Sequence, residues 1–144
     1  FKTNRGGQWT FHGSGQKVIY FAIDLNSEKN LKDFIRKVES WIIKVLKSYN
    51  INSYNDRKNI GIWVDNKNNS EKIAAIGIRV KKWIAFHGFS LNVNVNKKDY
   101  DGIIPCGITD KGIANMTDFI EMPYLNNINE VIISKFKKTF PNKI

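Results

Sequence analysis

A single thiol is the residue of this chain best suited to covalent chemistry. Cys106 is the only cysteine among the 144 residues, and it lies in a Pro-Cys-Gly turn directly after the apolar pair Ile103-Ile104. Proline and glycine end strands and favour turns, so we expect the thiol to be presented by the backbone at a strand end. A thiolate is a strong nucleophile when a neighbouring group lowers its pKa. We therefore predict that Cys106 is a catalytic nucleophile.

Lys72 is the candidate for the group that lowers this pKa. It stands at the beginning of a predicted strand over residues 73–80, where it could be partly desolvated. An adjacent cation can lower a thiol pKa by one or more units from about 8.5. Its position alone favours a lysine that reaches into solvent. Its assignment as a catalytic residue depends on Cys106 and on the family pattern described below.

Metal chemistry is not predicted. The two histidines and the one cysteine lie far apart and match no zinc spacing. We expect His87 to be a hydrogen-bonded core histidine, and we predict neither a metal nor a cofactor.

Composition favours one basic domain. The chain has a net charge of +10 and an apolar fraction of 42%, which is enough for a core. No apolar run of about 18 residues predicts a membrane span, and the first residues do not resemble a signal peptide. The lysines are scattered and no nucleic-acid motif is present, so we expect neither nucleic-acid nor membrane binding. A lone reactive thiol fits a reducing compartment.

Alternating and helical patterns predict the elements that position these residues. Residues 17–25 are a nearly continuous apolar run, which predicts a strand buried on both faces. Residues 30–49 have the helical spacing, with Asn30 and Asp33 as a capping pair. Residues 72–80 and 83–94 predict a hairpin, and residues 127–140 a closing helix.

Three stretches resemble the lipoyl(octanoyl) transferases. Residues 5–16 read RGGQWTFHGSGQ, residues 72–93 read KIAAIGIRVKKWIAFHGFSLNV, and residues 102–108 read GIIPCGI. The family patterns are R-G-G-(Q/K)-x-T-(Y/F)-H-G-P-G-Q, a K-(I/L)-A-(A/S)-I-G segment leading to H-G-(L/F)-A-(L/F)-N, and P-C-G. Order and spacing agree over nearly the whole chain. The departures are Ser14 for proline, Ser90 for alanine, and Asn115 in the segment after the cysteine.

The resemblance implies an α/β (α+β) fold with a mixed central sheet flanked by helices, of the biotin/lipoate protein ligase catalytic-domain type. It implies an acyltransferase in lipoate biosynthesis that moves an octanoyl group from acyl carrier protein to a lysine of a lipoyl domain, through a thioester on Cys106. Lys72 would hold the thiolate by charge. The resemblance also implies substrate contacts, which are Arg5, Gly6, Gly7, Gln8, Trp9, Thr10, Phe11, His12, Ala75, Ile76, Gly77, Gly88, Phe89 and Ser90.

The implied partners are octanoyl-acyl carrier protein, the lipoyl domains of 2-oxoacid dehydrogenases and the glycine cleavage H protein. Such carriers are typically acidic, which suits a basic enzyme. The chain begins near the first family motif, so we expect one acyltransferase domain over residues 1–144 that lacks the N-terminal portion of the fold. We expect a monomer in the bacterial cytoplasm, or in an organelle if a targeting segment precedes residue 1.

Two other functions are compatible with parts of this pattern. ATP-dependent lipoate or biotin ligases share the fold type, but they form an acyl-adenylate and need no nucleophilic cysteine. A non-catalytic module that binds acyl carrier protein or nucleic acid would form no thioester. The pairing of Cys106 with the Lys72 motif favours the transferase.

Overall fold

A five-stranded sheet carries the fold in the computed structural model, which describes residues 11–67, 69–100 and 112–143. The elements in chain order are β1 (Gln16–Asp24), α1 (Leu31–Lys47), β2 (Tyr54–Asn55), β3 (Ile62–Asn66), β4 (Asn69–Lys81), β5 (Ile84–Asn92) and α2 (Ile128–Thr139). Short 3₁₀ turns cover Lys97–Tyr100, Met116–Asp118 and Met122–Leu125. The strands lie in the order β1-β5-β4-β3-β2. The predicted fold class is confirmed, and these five strands pair antiparallel throughout.

The long hairpin of β4 and β5 forms the centre of the sheet. Its register runs from Ala74 opposite Leu91 to Lys81 opposite Ile84. Lys82 and Trp83 connect the strands with φ values of 49° and 61°. Two consecutive positive φ values match the right-handed twist of a hairpin. The predicted hairpin is confirmed, with β5 beginning one residue later and ending two residues earlier than expected.

Both helices belong to the core that covers one face of the sheet. The predicted first helix is confirmed as α1, and Asn30 caps it by accepting a hydrogen bond from the backbone N of Asp33 at 3.0 Å. Trp41 lies at the centre of this core, 4.9 Å from the ring of Phe89 on β5 and 5.0 Å from Phe136 on α2. Its indole N–H donates to the carbonyl of Ile132 at 2.9 Å. Trp41 thereby joins α1, α2 and the sheet.

The prediction that the first strand is buried on both faces was wrong. Ile23 of β1 is buried, but Val18 and Tyr20 are 37% and 72% exposed. β1 stands at the end of the strand order and pairs with β5. Because side chains alternate between the two faces of a strand, only one face of β1 reaches the core. Within the described ranges, neither helix is long and apolar enough to cross a bilayer.

The opposite face of the sheet carries a different set of side chains. Ile62 and Val64 of β3 belong to the core cluster, and the intervening Trp63 does not, although it is almost fully buried. Alternation along β3 therefore places the Trp63 indole on the face away from the helices. Lys72 is paired with Trp63 across the sheet.

Candidate functional site

Lys72 is tied to the segment that follows the predicted nucleophile. Its backbone N donates to the carbonyl of Gly112 at 2.9 Å, and its carbonyl accepts from the backbone N of Ala114 at 3.0 Å. These two bonds form a parallel bridge between Lys72 and Ile113 beside β4. The chain therefore passes Lys72 shortly after Cys106 in sequence. Cys106 lies outside the described residues, so its pairing with Lys72 stays a prediction.

The side chain of Lys72 is buried. The residue is only 6% exposed, and its Nζ lies 4.8 Å from the ring centroid of Trp63. Nζ has no hydrogen-bond partner among the residues that the structure describes. Buried ammonium groups ordinarily donate hydrogen bonds to protein or water. The site therefore offers a desolvated cation whose donors are available to an anionic group.

The two predicted substrate segments on the hairpin lie side by side. Their three register pairs are Ala75 with Ser90, Ile76 with Phe89, and Gly77 with Gly88. Ala75, Ile76 and Gly77 follow Lys72 along β4 by three to five residues. The hairpin thus brings together two segments of residues 72–93, the second of the three stretches from which the family resemblance was drawn. That these residues contact an acyl group stays a prediction.

Gly88 has a packing reason to be glycine. A Cβ built on it would overlap the carbonyl oxygen of Ile19 on the neighbouring strand β1. The close approach of β1 to β5 therefore requires a residue without a side chain at this position.

Only the end of the N-terminal substrate segment can be described. Arg5, Gly6, Gly7, Gln8, Trp9 and Thr10 lie outside the described residues. The ring of Phe11 packs edge-on against Tyr100 with centroids 5.2 Å apart. His12 is exposed, and its Nδ1 shares a hydrogen bond of 2.7 Å with Oε1 of Gln16. His12 is thus linked to the polar cluster described next.

Gln16, Asn92 and Tyr100 form a polar cluster that the sequence analysis did not propose. Nε2 of Gln16 donates to Oδ1 of Asn92 at 2.8 Å and to the Tyr100 oxygen at 2.9 Å. The Tyr100 hydroxyl donates to Asn92 at 3.2 Å, and Nδ2 of Asn92 donates to the carbonyl of Ala114 at 3.3 Å. Burial raises the pKa of Tyr100, which keeps the phenol protonated as a donor. Gln16 is the last residue of the first family motif, and Asn92 is the last residue of the H-G-(L/F)-A-(L/F)-N pattern. Their places in these motifs could have identified them as candidate site residues.

We expected His87 to be a hydrogen-bonded core histidine, and this expectation was wrong for its Nε2 atom. Nε2 of His87 is buried and has no hydrogen-bond partner within the described part of the chain. The backbone of His87 has a φ of 68°, outside the extended region, and its ring lies 4.9 Å from that of Phe86. The described residues contain no group of three or more His, Cys, Asp or Glu arranged to hold a metal ion.

Comparison with known proteins identifies the family. Residues 1–140 match the family described as the lipoyl protein ligase A/B catalytic domain. The octanoyltransferase of Wolbachia pipientis subsp. Culex pipiens is 43% identical over 142 residues, which cover 97% of this chain and 69% of that protein. The octanoyltransferase of Bartonella tribocorum is 39% identical over 150 residues, with 97% and 61% covered.

Solved structures agree on the fold. A bi-partite lipoate protein ligase from Thermoplasma acidophilum superimposes with a TM-score of 0.71 at 16% identity, over 96% of this chain and 56% of its own. The biotin protein ligase of Aquifex aeolicus superimposes with a TM-score of 0.64 at 13% identity, over 88% and 53%. The chain spans about 61% to 69% of the length of the two octanoyltransferases. It belongs to the lipoyl protein ligase A/B catalytic-domain family and, within that family, to the octanoyltransferases.

Proposed function

We propose that this chain transfers an octanoyl group from acyl carrier protein to a lysine of a lipoyl domain, through a thioester on Cys106. Its membership of an acyltransferase family supports the reaction class. The observation that carries the mechanism is the buried Nζ of Lys72, which has no hydrogen-bond partner among the described residues. The backbone bridge from Lys72 to the segment after Cys106 supports the pairing of these two groups.

The first step loads the enzyme. The Cys106 thiolate attacks the carbonyl carbon of the octanoyl thioester, and the bond to the sulfur of the carrier protein breaks. The released carrier thiolate takes up a proton. The Lys72 ammonium stabilises the attacking thiolate by charge, which raises the thiolate fraction near neutral pH.

The second step delivers the acyl group. The ε-amine of the acceptor lysine attacks the acyl-enzyme thioester, a C–N bond forms, and the bond to the Cys106 sulfur breaks. The Lys72 ammonium has given its proton to the carrier thiolate in the first step, so the neutral Lys72 amine takes the proton lost by the acceptor amine, and Cys106 leaves as a thiolate. One thioester and one amine become one amide and one thiol. Since conversion of a thioester to an amide is downhill, the reaction needs no ATP.

The hairpin supplies the surface on which the acyl chain would lie. Phe89 and its register partner Ile76 pack against the helix-side core, so alternation places the neighbouring pairs, Ala75 with Ser90 and Gly77 with Gly88, on the face that carries Lys72. These two pairs lie three to five residues beyond Lys72 along β4, so an acyl chain laid over them would bring its carbonyl toward the lysine.

Mass spectrometry of the intact protein tests the proposal. Incubation with octanoyl-acyl carrier protein without ATP should add one octanoyl group, and peptide mapping should place it on Cys106. Cys106→Ser should form no thioester, and its transfer to a lipoyl domain should fall at least a thousandfold because the covalent path is lost.

Two results would contradict the proposal. Undiminished turnover by Cys106→Ser would remove the covalent mechanism. Product that forms only with ATP and without an adduct on the cysteine would instead identify an adenylate-forming ligase.

A further inference from the structure

We infer that Trp63 is a positioning residue that holds the Lys72 ammonium in place for the reaction. The inference rests on the role proposed above for Lys72 and adds a second residue to it. Trp63 lies on β3 in register with Lys72 on β4. Side chains that are directly opposite across an antiparallel pair contact each other on the same face of the sheet.

The indole of Trp63 is itself held rigidly. Trp63 is only 1% exposed, and its Nε1 donates a hydrogen bond of 2.9 Å to the carbonyl of Asn59. Because the N–H at the ring edge is satisfied in this way, the orientation of the ring face is set. That face lies 4.8 Å from Nζ of Lys72, within the range at which an ammonium is attracted to an aromatic ring.

Gly61 contributes the space for the lysine stem. A Cβ built on Gly61 would lie 3.1 Å from Cε and 3.4 Å from Cδ of Lys72. The φ of Gly61 is 140°, a conformation that residues with side chains rarely adopt. The aliphatic part of Lys72 therefore packs over bare backbone while its ammonium faces the indole.

An aromatic partner suits this task better than a carboxylate would. A carboxylate would hold the ammonium by accepting its hydrogen bonds, and it would cancel the charge on which a thiolate depends. An indole face attracts the cation and leaves its three N–H donors free. The carboxylate next to Lys72 in sequence, Glu71, accepts instead from Asn66 at 3.0 Å and lies 4.0 Å from Lys97.

The pH dependence of thiol alkylation tests this inference, because Cys106 is the only cysteine in the chain. The alkylation rate by iodoacetamide would be measured from pH 5 to 10 for each folded variant. Lys72→Met should react about tenfold more slowly than the wild type at pH 7, the equivalent of about one pKa unit. Trp63→Leu should react about three- to tenfold more slowly, and Trp63→Phe, which keeps an aromatic face, within about twofold of the wild type.

Two controls separate positioning from general damage. Trp41→Leu removes another buried indole, on the helix side of the sheet, and should lower the melting temperature without moving the alkylation curve. Fluorinated tryptophans introduced at position 63 keep the ring shape and weaken its negative face. The alkylation rate at pH 7 should fall progressively with fluorine number, and this series also replaces Trp63→Leu if that variant does not fold.

The outcomes distinguish the inference from the proposed function. If Lys72→Met moves the curve and neither Trp63→Leu nor the fluorinated series does, the role of Trp63 is wrong and the role of Lys72 stands. If the Lys72→Met curve coincides with that of the wild type, Lys72 does not activate the thiol, and the inference fails with the mechanism on which it rests.

Discussion

Gly88 shows how one residue can serve both the fold and a predicted site. The resemblance assigns it to the acyl-binding segment, and the structure places it where β1 approaches β5 too closely for any side chain. A predicted binding role and an observed packing role therefore coincide at this position. Substitution has to be measured on stability before any effect on activity can be interpreted.

Gly88→Ala should lower the free energy of unfolding by about 3 kcal/mol, because the new Cβ overlaps the Ile19 carbonyl and a strand has to move. Gly13→Ala is the matched control, since the Cβ there would meet the Phe11 ring, a side chain that can rotate away. Gly13→Ala should lower the free energy of unfolding by no more than half as much as Gly88→Ala. Urea denaturation of both variants measures the difference, and equal losses would contradict the steric explanation.

At the scale of elements, the polar cluster of Gln16, Asn92 and Tyr100 joins three parts of the chain. Gln16 begins β1, Asn92 ends β5, and Tyr100 ends the 3₁₀ turn Lys97–Tyr100. Asn92 also donates to the carbonyl of Ala114, beside the bridge to Lys72. The buried Asn92 amide is thus bonded both to the turn Lys97–Tyr100 and to the segment that bridges Lys72.

Tyr100→Phe should lower the free energy of unfolding by about 1 kcal/mol at pH 7, because it removes a hydroxyl that makes two hydrogen bonds. Burial raises the pKa of Tyr100 in the folded state, so the neutral phenol is the form that the fold favours. This contribution is fully present below the unfolded pKa of about 10 and is lost as the pH rises through the folded value.

The difference in the free energy of unfolding between the wild type and Tyr100→Phe should therefore become smaller above pH 10. Tyr20→Phe is the control, since Tyr20 is 72% exposed, and this variant should match the wild type at every pH. Urea denaturation at pH 7, 9, 10 and 11 measures both differences. A difference for Tyr100→Phe that stays constant over this range would show that its ionisation is not coupled to folding.

For the whole molecule, the net charge of +10 is the property most relevant to a macromolecular donor. The last turns of both helices are basic, with Lys44 and Lys47 on α1 and Lys137 and Lys138 on α2. Positive surfaces accelerate the encounter with an acidic carrier protein, and salt screens that attraction.

Raising the salt from about 0.02 to 0.5 M should therefore lower kcat/KM for octanoyl-acyl carrier protein about tenfold, since screening removes the steering. Octanoyl-pantetheine carries the same thioester without a charged protein, and its kcat/KM should change less than twofold. Steady-state kinetics with both donors provides the comparison. An equal fall for both substrates would show that salt acts on the enzyme itself.

Sequence alone was enough to predict the elements whose signals are local. The apolar spacing and the Asn30 cap predicted α1, and the two alternating runs predicted the central hairpin, because apolar residues at the helical or strand period lie on one face of a local element. The motifs predicted the family and drew attention to Lys72. Cys106 as nucleophile, and the division of the chain into one domain, stay predictions.

The sheet order decided what local patterns could not. It left one face of β1 exposed to solvent and placed Gly88 against Ile19. It also set Trp63 opposite Lys72 and joined Gln16 to Tyr100, 84 positions away in sequence. These contacts join residues on different strands or turns, so no periodicity within one segment encodes them. These contacts exist only after the strands have paired. For that reason only the tertiary structure, and not the sequence, showed what surrounds Lys72.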